Sequence, residues 1–356
     1  MKDFPTRHGV HTVVIIATLC IGAIIGWLLP IESPFLQRQI VGARGAVIRE
    51  SSANFKYIDP LLACDIGSQV SFPEFKSLKE KLATVVEQKV RSGNAGSISV
   101  YVRSLKNAHW IAINGDVTYA PASLLKVFVM MAFYKQANET DNPAALQRRI
   151  KFEGSPDPSK DEPGEIIPHF VSGQYYSVND VIRQMIIYSD NDALNTLLDN
   201  LDQKTLTYFD LIFKDLNIAA PSTWNENLFD VMSVDEYSIV FRILYGSTYL
   251  SERYSEQALE ILSQAHYKGG IVAGVPQNVA VAHKFGVTTV AASTNVPLRH
   301  QLHDCGIVYY PNGPYLICIM TEGNDFGQLQ LAIKEISASA YQWFDGYYKS
   351  QPSSGN

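Results

Sequence analysis

Residues 124–134 read LLKVFVMMAFY. A helix that is apolar on every side has no face to offer to water, so other elements must surround it. The helix predicted from 123 to about 136 is therefore expected to be buried. That helix contains Lys126, the only charge between Asp116 and Lys135. A buried ammonium is tolerated only when it is paired or gives up its proton.

The segments on either side have a readable order. Phe75, Leu78, Leu82, Val85 and Val86 recur at helical spacing up to the stop signal Ser92-Gly93-Asn94. Two strands follow, over 97–103 and 109–114. After the buried helix, a stretch rich in proline and acid between 153 and 165 predicts a long surface loop. Helices are then predicted over 178–187, 192–201, 206–216, 234–244 and 256–265. Two of them open on cap-like Ser177-x-x-Asp180 and Ser233-x-x-Glu236. Strands return over 279–287, 306–310 and 315–321, the last two joined through Pro311-Asn312-Gly313-Pro314, a hairpin signal. A helix over about 328–344 closes the chain. Strands at both ends of a helical middle predict an α/β fold of the α+β kind, an antiparallel sheet flanked by helices with a helical subdomain inserted.

Charge is absent from 10 to 31, and 13–29 is VVIIATLCIGAIIGWLL. At 1.5 Å per residue, about 20 residues reach the roughly 30 Å of a bilayer core. We expect a short tail over 1–9, a single transmembrane anchor over 10–30, a tether over 31–60 and the folded domain over 61–350. A cleaved signal peptide is the competing reading, but the run exceeds a usual signal core and no small-x-small site follows it. Lys2 and Arg7 before the span nearly balance Arg38, Arg44 and Arg49 after it, so charge alone does not orient it. A net charge of −6 offers no basic face and argues against nucleic acid as a partner. Of the four cysteines, Cys20 lies in the span, while Cys64, Cys305 and Cys318 stand in apolar surroundings without CxxC spacing. We expect buried free thiols.

Chemistry concentrates in three short motifs. Ser123 precedes Lys126 by three residues, one turn away on the same helix face, so the amine is expected to reach the serine hydroxyl. Desolvation lowers a lysine pKa, and a neutral amine beside a serine can act as its base. Ser189-Asp190-Asn191 follows the 178–187 helix. Lys284-Phe285-Gly286 lies in an alternating strand, with Lys284 the only charge between Lys268 and Arg299. A second K-x-G, Lys268-Gly269-Gly270, lies in a glycine-rich turn and is set aside.

S-x-x-K, S-D-N and K-x-G in this order resemble the signature of class A β-lactamases and penicillin-binding proteins. The chain is similar to a membrane-anchored member of that serine-hydrolase superfamily over nearly all of its folded part. The resemblance implies that Ser123 is the acylated nucleophile and Lys126 its proton acceptor. It implies that Ser189 passes a proton to the leaving nitrogen, that Asn191 binds the substrate amide and that Asp190 holds its turn. Lys284 would supply positive charge for a substrate carboxylate, Gly286 room for the substrate, and the amides of Ser123 and Val287 an oxyanion hole. Two departures stand out. Phe285 replaces the usual hydroxyl residue, and the only glutamate placed to activate a deacylating water is Glu226, in a short loop where it reads more simply as a solvated acid.

The activity implied is hydrolysis of β-lactam-type amides through an acyl-enzyme, outside the cytoplasmic membrane. A D-alanyl-D-alanine peptidase acting on cell-wall peptides and an acylable or inactive binding domain are the alternatives. No cofactor is expected. The string His300-Gln301-Leu302-His303-Asp304-Cys305 carries metal-ligand types, but strand alternation would send them to opposite faces and no second ligand group stands out. Ordinary polar packing is expected there, with no metal.

Overall fold

The computed structural model describes residues 56–59, 72–154, 168–219, 231–290 and 299–350. The predicted anchor over 10–30, most of the predicted tether, Glu226 and residues 155–165 of the acidic loop lie outside these residues. Among the described residues no helix is long and apolar enough to cross a membrane.

The described chain begins its regular structure with helix α1 (Lys76–Arg91), followed by strands β1 (Ser97–Ser104), β2 (Trp110–Ile113) and the short β3 (Thr118–Tyr119). A tight 3-10 turn, Ala122–Leu125, leads into α2 (Lys126–Glu139), the central helix. Then come β4 (Arg149–Lys151), β5 (Tyr175–Ser177), α3 (Val178–Ile187), α4 (Asn191–Asp199), α5 (Gln203–Leu216), β6 (Met232–Ser233), α6 (Val234–Tyr245) and α7 (Glu252–Ser263). The last elements are β7 (Val281–Val290), β8 (Arg299–Val308), β9 (Tyr315–Gly323) and α8 (Phe326–Ser350). The two sequence-predicted caps form true capping boxes: Ser177 with Asp180 opens α3, and Ser233 with Glu236 opens α6.

Five strands make one sheet in the order β2-β1-β9-β8-β7, with every pair antiparallel. The strands contributed by the start of the chain thus meet those from its end, and the helical middle is inserted between them. One face of the sheet packs on α1 and α8 through Leu78, Leu82, Val100, Ile317, Ile333 and Phe344. The other face packs on the helical part through Ala282, Cys305, Ile307 and Met320. Of α2, every residue from Lys126 to Tyr134 is buried. Its all-round apolarity is used as the sequence demanded.

Two expectations need correction. Cys305 and Cys318 are not free thiols: the β8–β9 register sets them directly opposite each other, Cα atoms 3.9 Å apart, and they form a buried disulfide. Second, the final residues assigned to the tether are docked on the domain. Tyr57 and Ile58 are buried, and the backbone N–H groups of Lys56, Tyr57 and Ile58 donate to the Glu256 carboxylate at 2.9, 2.8 and 3.0 Å. The Tyr309 hydroxyl donates to the Tyr57 carbonyl, and the Asp59 N–H to the Tyr245 carbonyl. The packed body therefore reaches back at least to Lys56.

Candidate active site

Three elements converge on one cluster. The first is the turn that carries Ser123. β3 pairs with β6 and delivers the chain to Pro121, after which Ala122 adopts a left-handed backbone, φ +49°. A non-glycine residue there costs on the order of 1–2 kcal/mol, and the turn it makes sets Ser123 at the threshold of α2. The Tyr237 hydroxyl, buried on α6, donates to the Leu124 carbonyl at 3.0 Å and holds the turn from the helical side. This contact was invisible in the sequence, because the two residues stand 113 positions apart.

The second element is the sharp junction between α3 and α4. Ser189 is also left-handed, φ +57°. Asp190 caps α4, accepting from the Asp192 and Ala193 N–H groups at 2.8 and 3.0 Å, while its other oxygen accepts from the Gln184 side chain at 3.0 Å. Asp190 thus holds the turn, and the side chains of Ser189 and Asn191 are left to face Lys126. The third element is β7, the strand at the edge of the sheet. It carries Lys284 inward, and its Gly286 lies against the Ser123 turn: a Cβ there would be 3.0 Å from the Pro121 oxygen and 3.2 Å from the Leu124 nitrogen. Val287, the next residue, is exposed at the strand edge.

Both lysines are fully enclosed, with 1% and 0% of Lys126 and Lys284 exposed. Lys126 Nζ donates to the Ser189 carbonyl, to the Ser189 hydroxyl at 3.3 Å and to Asn191 Oδ1 at 2.7 Å. None of its hydrogen bonds goes to the Ser123 hydroxyl, contrary to the simple one-turn expectation. Lys284 Nζ donates to the same Ser189 hydroxyl at 2.8 Å and to the Phe285 carbonyl at 2.8 Å. One hydroxyl therefore bridges two buried amines. Burial pulls the Lys126 ammonium down from an ordinary 10.5 to about 7, with the Asp190 carboxylate opposing. Lys284 is held well below its ordinary value, chiefly by burial and then by repulsion from Lys126, with Asp304 opposing. Burial thus favours the neutral amine at both positions.

Phe285 does not leave a gap where a hydroxyl was expected. Its ring stacks on Tyr267, centroids 4.2 Å apart, and the Lys284 ammonium lies 4.4 Å from the ring centre. Among the described residues no group of three metal-ligating side chains comes together. The histidines of the 300–305 string go separate ways: His300 bonds Thr289 and His303 bonds Ala120, while Asp304 bonds His283.

The structure thus brings together Ser123, Lys126, Ser189, Asn191, Lys284, Gly286 and Val287, and Glu226 lies outside the described residues. A family model described as the beta-lactamase enzyme family matches residues 77–344. The chain belongs to that family. It is a β-lactamase-like serine hydrolase.

Solved structures of related fold include a mutant of PBP-A as an acyl-enzyme complex with penicillin G, 22% identical, TM-score 0.60, covering 76% of this chain and 97% of that one. A β-lactamase from Sphaerobacter thermophilus is 21% identical, TM-score 0.60, over 74% of this chain and 96% of that one. A class A β-lactamase representative from Bacteroides cellulosilyticus is 17% identical, TM-score 0.61, over 75% and 98%. No curated protein matches the chain. At these identities the structural likeness establishes the fold, and the chemistry rests on the residues above.

Proposed function

We propose that Ser123 opens β-lactam-type amide bonds through an acyl-enzyme, with Lys126 as its base. The observation that carries the reading is the Ser189 hydroxyl held between two buried lysine amines, 3.3 and 2.8 Å away, beside the start of the S-x-x-K helix. In the first half-reaction neutral Lys126 takes the Ser123 proton as the oxygen bonds to the carbonyl carbon. The amides of Ser123 and Val287 stabilise the oxyanion. The carbon–nitrogen bond then breaks, and Ser189 relays a proton to the leaving nitrogen, replenished from the lysine pair. Asn191 binds the substrate amide, and Lys284 and Gly286 flank the substrate along β7. In the second half-reaction a water cleaves the ester, returning Ser123 to its hydroxyl form. Glu226 is the proposed activator of that water.

The catalytic domain is assigned to the extracytoplasmic side of the membrane, with 10–30 as its anchor. The uncharged run supports the anchor, and a buried disulfide fits an oxidising compartment better than the cytoplasm.

The full-length protein should turn over a chromogenic cephalosporin and gain the matching adduct mass on Ser123 during turnover. Ser123→Ala should lose both signals, and Glu226→Gln should lengthen the life of the adduct without slowing its formation. A stable adduct in the wild type would favour the peptidase or binding alternatives. Turnover retained by Ser123→Ala would overturn the assignment.

A further inference from the structure

The polar string on β8 has a role in this site that neither its composition nor the motifs reveal. Gln301 and His303 are both fully buried, and buried polar groups need partners. Both find them on one residue. The Gln301 side-chain oxygen accepts from the Ala120 N–H at 2.9 Å, and His303 Nε2 lies 3.1 Å from the Ala120 carbonyl. The two side chains are two positions apart on a strand and so share a face. His303 pairs with Gly286 across the β7–β8 ladder, which makes this the face that carries Lys284.

Each side chain is itself held in the orientation the contact requires. The Thr321 N–H donates to His303 Nδ1 at 3.3 Å, so Nδ1 is the acceptor and Nε2 carries the proton that goes to the Ala120 carbonyl. The Gln301 amide nitrogen donates to Glu322 at 2.9 Å, which turns its oxygen towards Ala120. The segment gripped is the one that enters the strained turn at Ala122. Tyr119, just before it, is tied to Ser97 and Ser99 through its hydroxyl, and its ring meets that of His303 in an edge-type contact, centroids 5.3 Å apart.

We propose that Gln301 and His303 are positioning residues for the nucleophile: by holding both backbone groups of Ala120 against the sheet, they fix where Ser123 stands relative to the lysine pair. The inference rests on the assignment of Ser123 as nucleophile. Misplacing a reacting group by about 1 Å can cost on the order of 100-fold in rate. The clamp therefore acts on the chemistry as well as on stability.

The test uses the full-length protein and measures the rate constant for adduct formation on Ser123 with a chromogenic cephalosporin, per folded molecule. His303→Leu and Gln301→Leu should each slow acylation by roughly 30-fold or more, within the range a misplaced reactant produces. His303→Gln, which keeps a donor near the Nε2 position, should stay close to wild type. If the leucine variants lower melting temperature but acylate at the wild-type rate, the positioning role is overturned. Should they fail to fold, His303→Gln is compared with His303→Asn, whose amide stops one methylene short of Ala120; equal acylation by the two overturns the proposal. Amide exchange at Ala120 provides a readout free of the chemistry, since Gln301→Leu should speed it. A wild type that forms no Ser123 adduct but protects the Ala120 amide would refute the nucleophile and leave the clamp standing. An Ala120 amide that exchanges freely in the wild type would refute the clamp itself.

Discussion

Lys126 and Lys284 are legible in the sequence for the reason that makes them reactive: each is alone in an apolar segment, where a charge is expensive. What the sequence does not show is their meeting point. Ser189 stands 63 residues from Lys126 and 95 from Lys284, and no local spacing rule joins them. The one-turn rule instead points Lys126 at Ser123, whereas the amine is drawn to the Ser189 and Asn191 oxygens. A pH dependence follows from its burial. The base is the neutral form, so acylation should fall as pH drops through about 7 and level off above it, with the apparent value belonging to the coupled lysines. Between about 7 and 10.5 the unfolded chain holds a proton that the folded chain has lost from this group, so stability should rise with pH across that window. Lys126→Met should diminish both trends, read by stopped-flow acylation and by urea midpoints; a variant with the unchanged rate profile would remove the lysine from the role of base.

Among the elements, α3 and α6 were the clearest in advance, because a capping box marks a helix start within four residues. The sequence predicts β8 only from 306, seven residues after its start at Arg299. Its first part carries two histidines, a glutamine and an aspartate, of which Gln301, His303 and Asp304 are buried against Ala120 and His283. The contact between β7 and the Ser123 turn is likewise invisible in the sequence, where Gly286 reads as room for the substrate. Gly286→Ala would press a methyl group on the Pro121 carbonyl and the Leu124 amide, backbone atoms that cannot rotate aside. We expect a loss of about 1–3 kcal/mol in stability, the usual cost of overpacking, together with slower acylation as the turn is pushed off the strand. An unchanged melting temperature and rate would show that the turn has slack.

At the scale of the whole molecule, the α+β layout was accessible from the order of strands and helices, but the pairing of Cys305 with Cys318 was not. It depends on the register between β8 and β9, a tertiary fact. Denatured without reductant, the purified protein should titrate two thiols, Cys20 and Cys64, of its four cysteines. Four reactive thiols would contradict the bond. Closing a loop of this length stabilises by roughly 3 kcal/mol in the chain-entropy view, so replacing both cysteines by serine should lower the urea midpoint accordingly.

The Glu256 carboxylate, which gathers three consecutive amides from Lys56 to Ile58, also decides where mechanical load enters the protein. A pull on the chain ahead of Lys56 is taken up on α7 and by the buried Tyr57 ring. Through the Tyr309 hydroxyl, which donates to the Tyr57 carbonyl, it also reaches the end of β8. A fragment begun at residue 61 would lose this mooring and leave Glu256 without those three donors, so a recombinant catalytic domain should start ahead of Lys56.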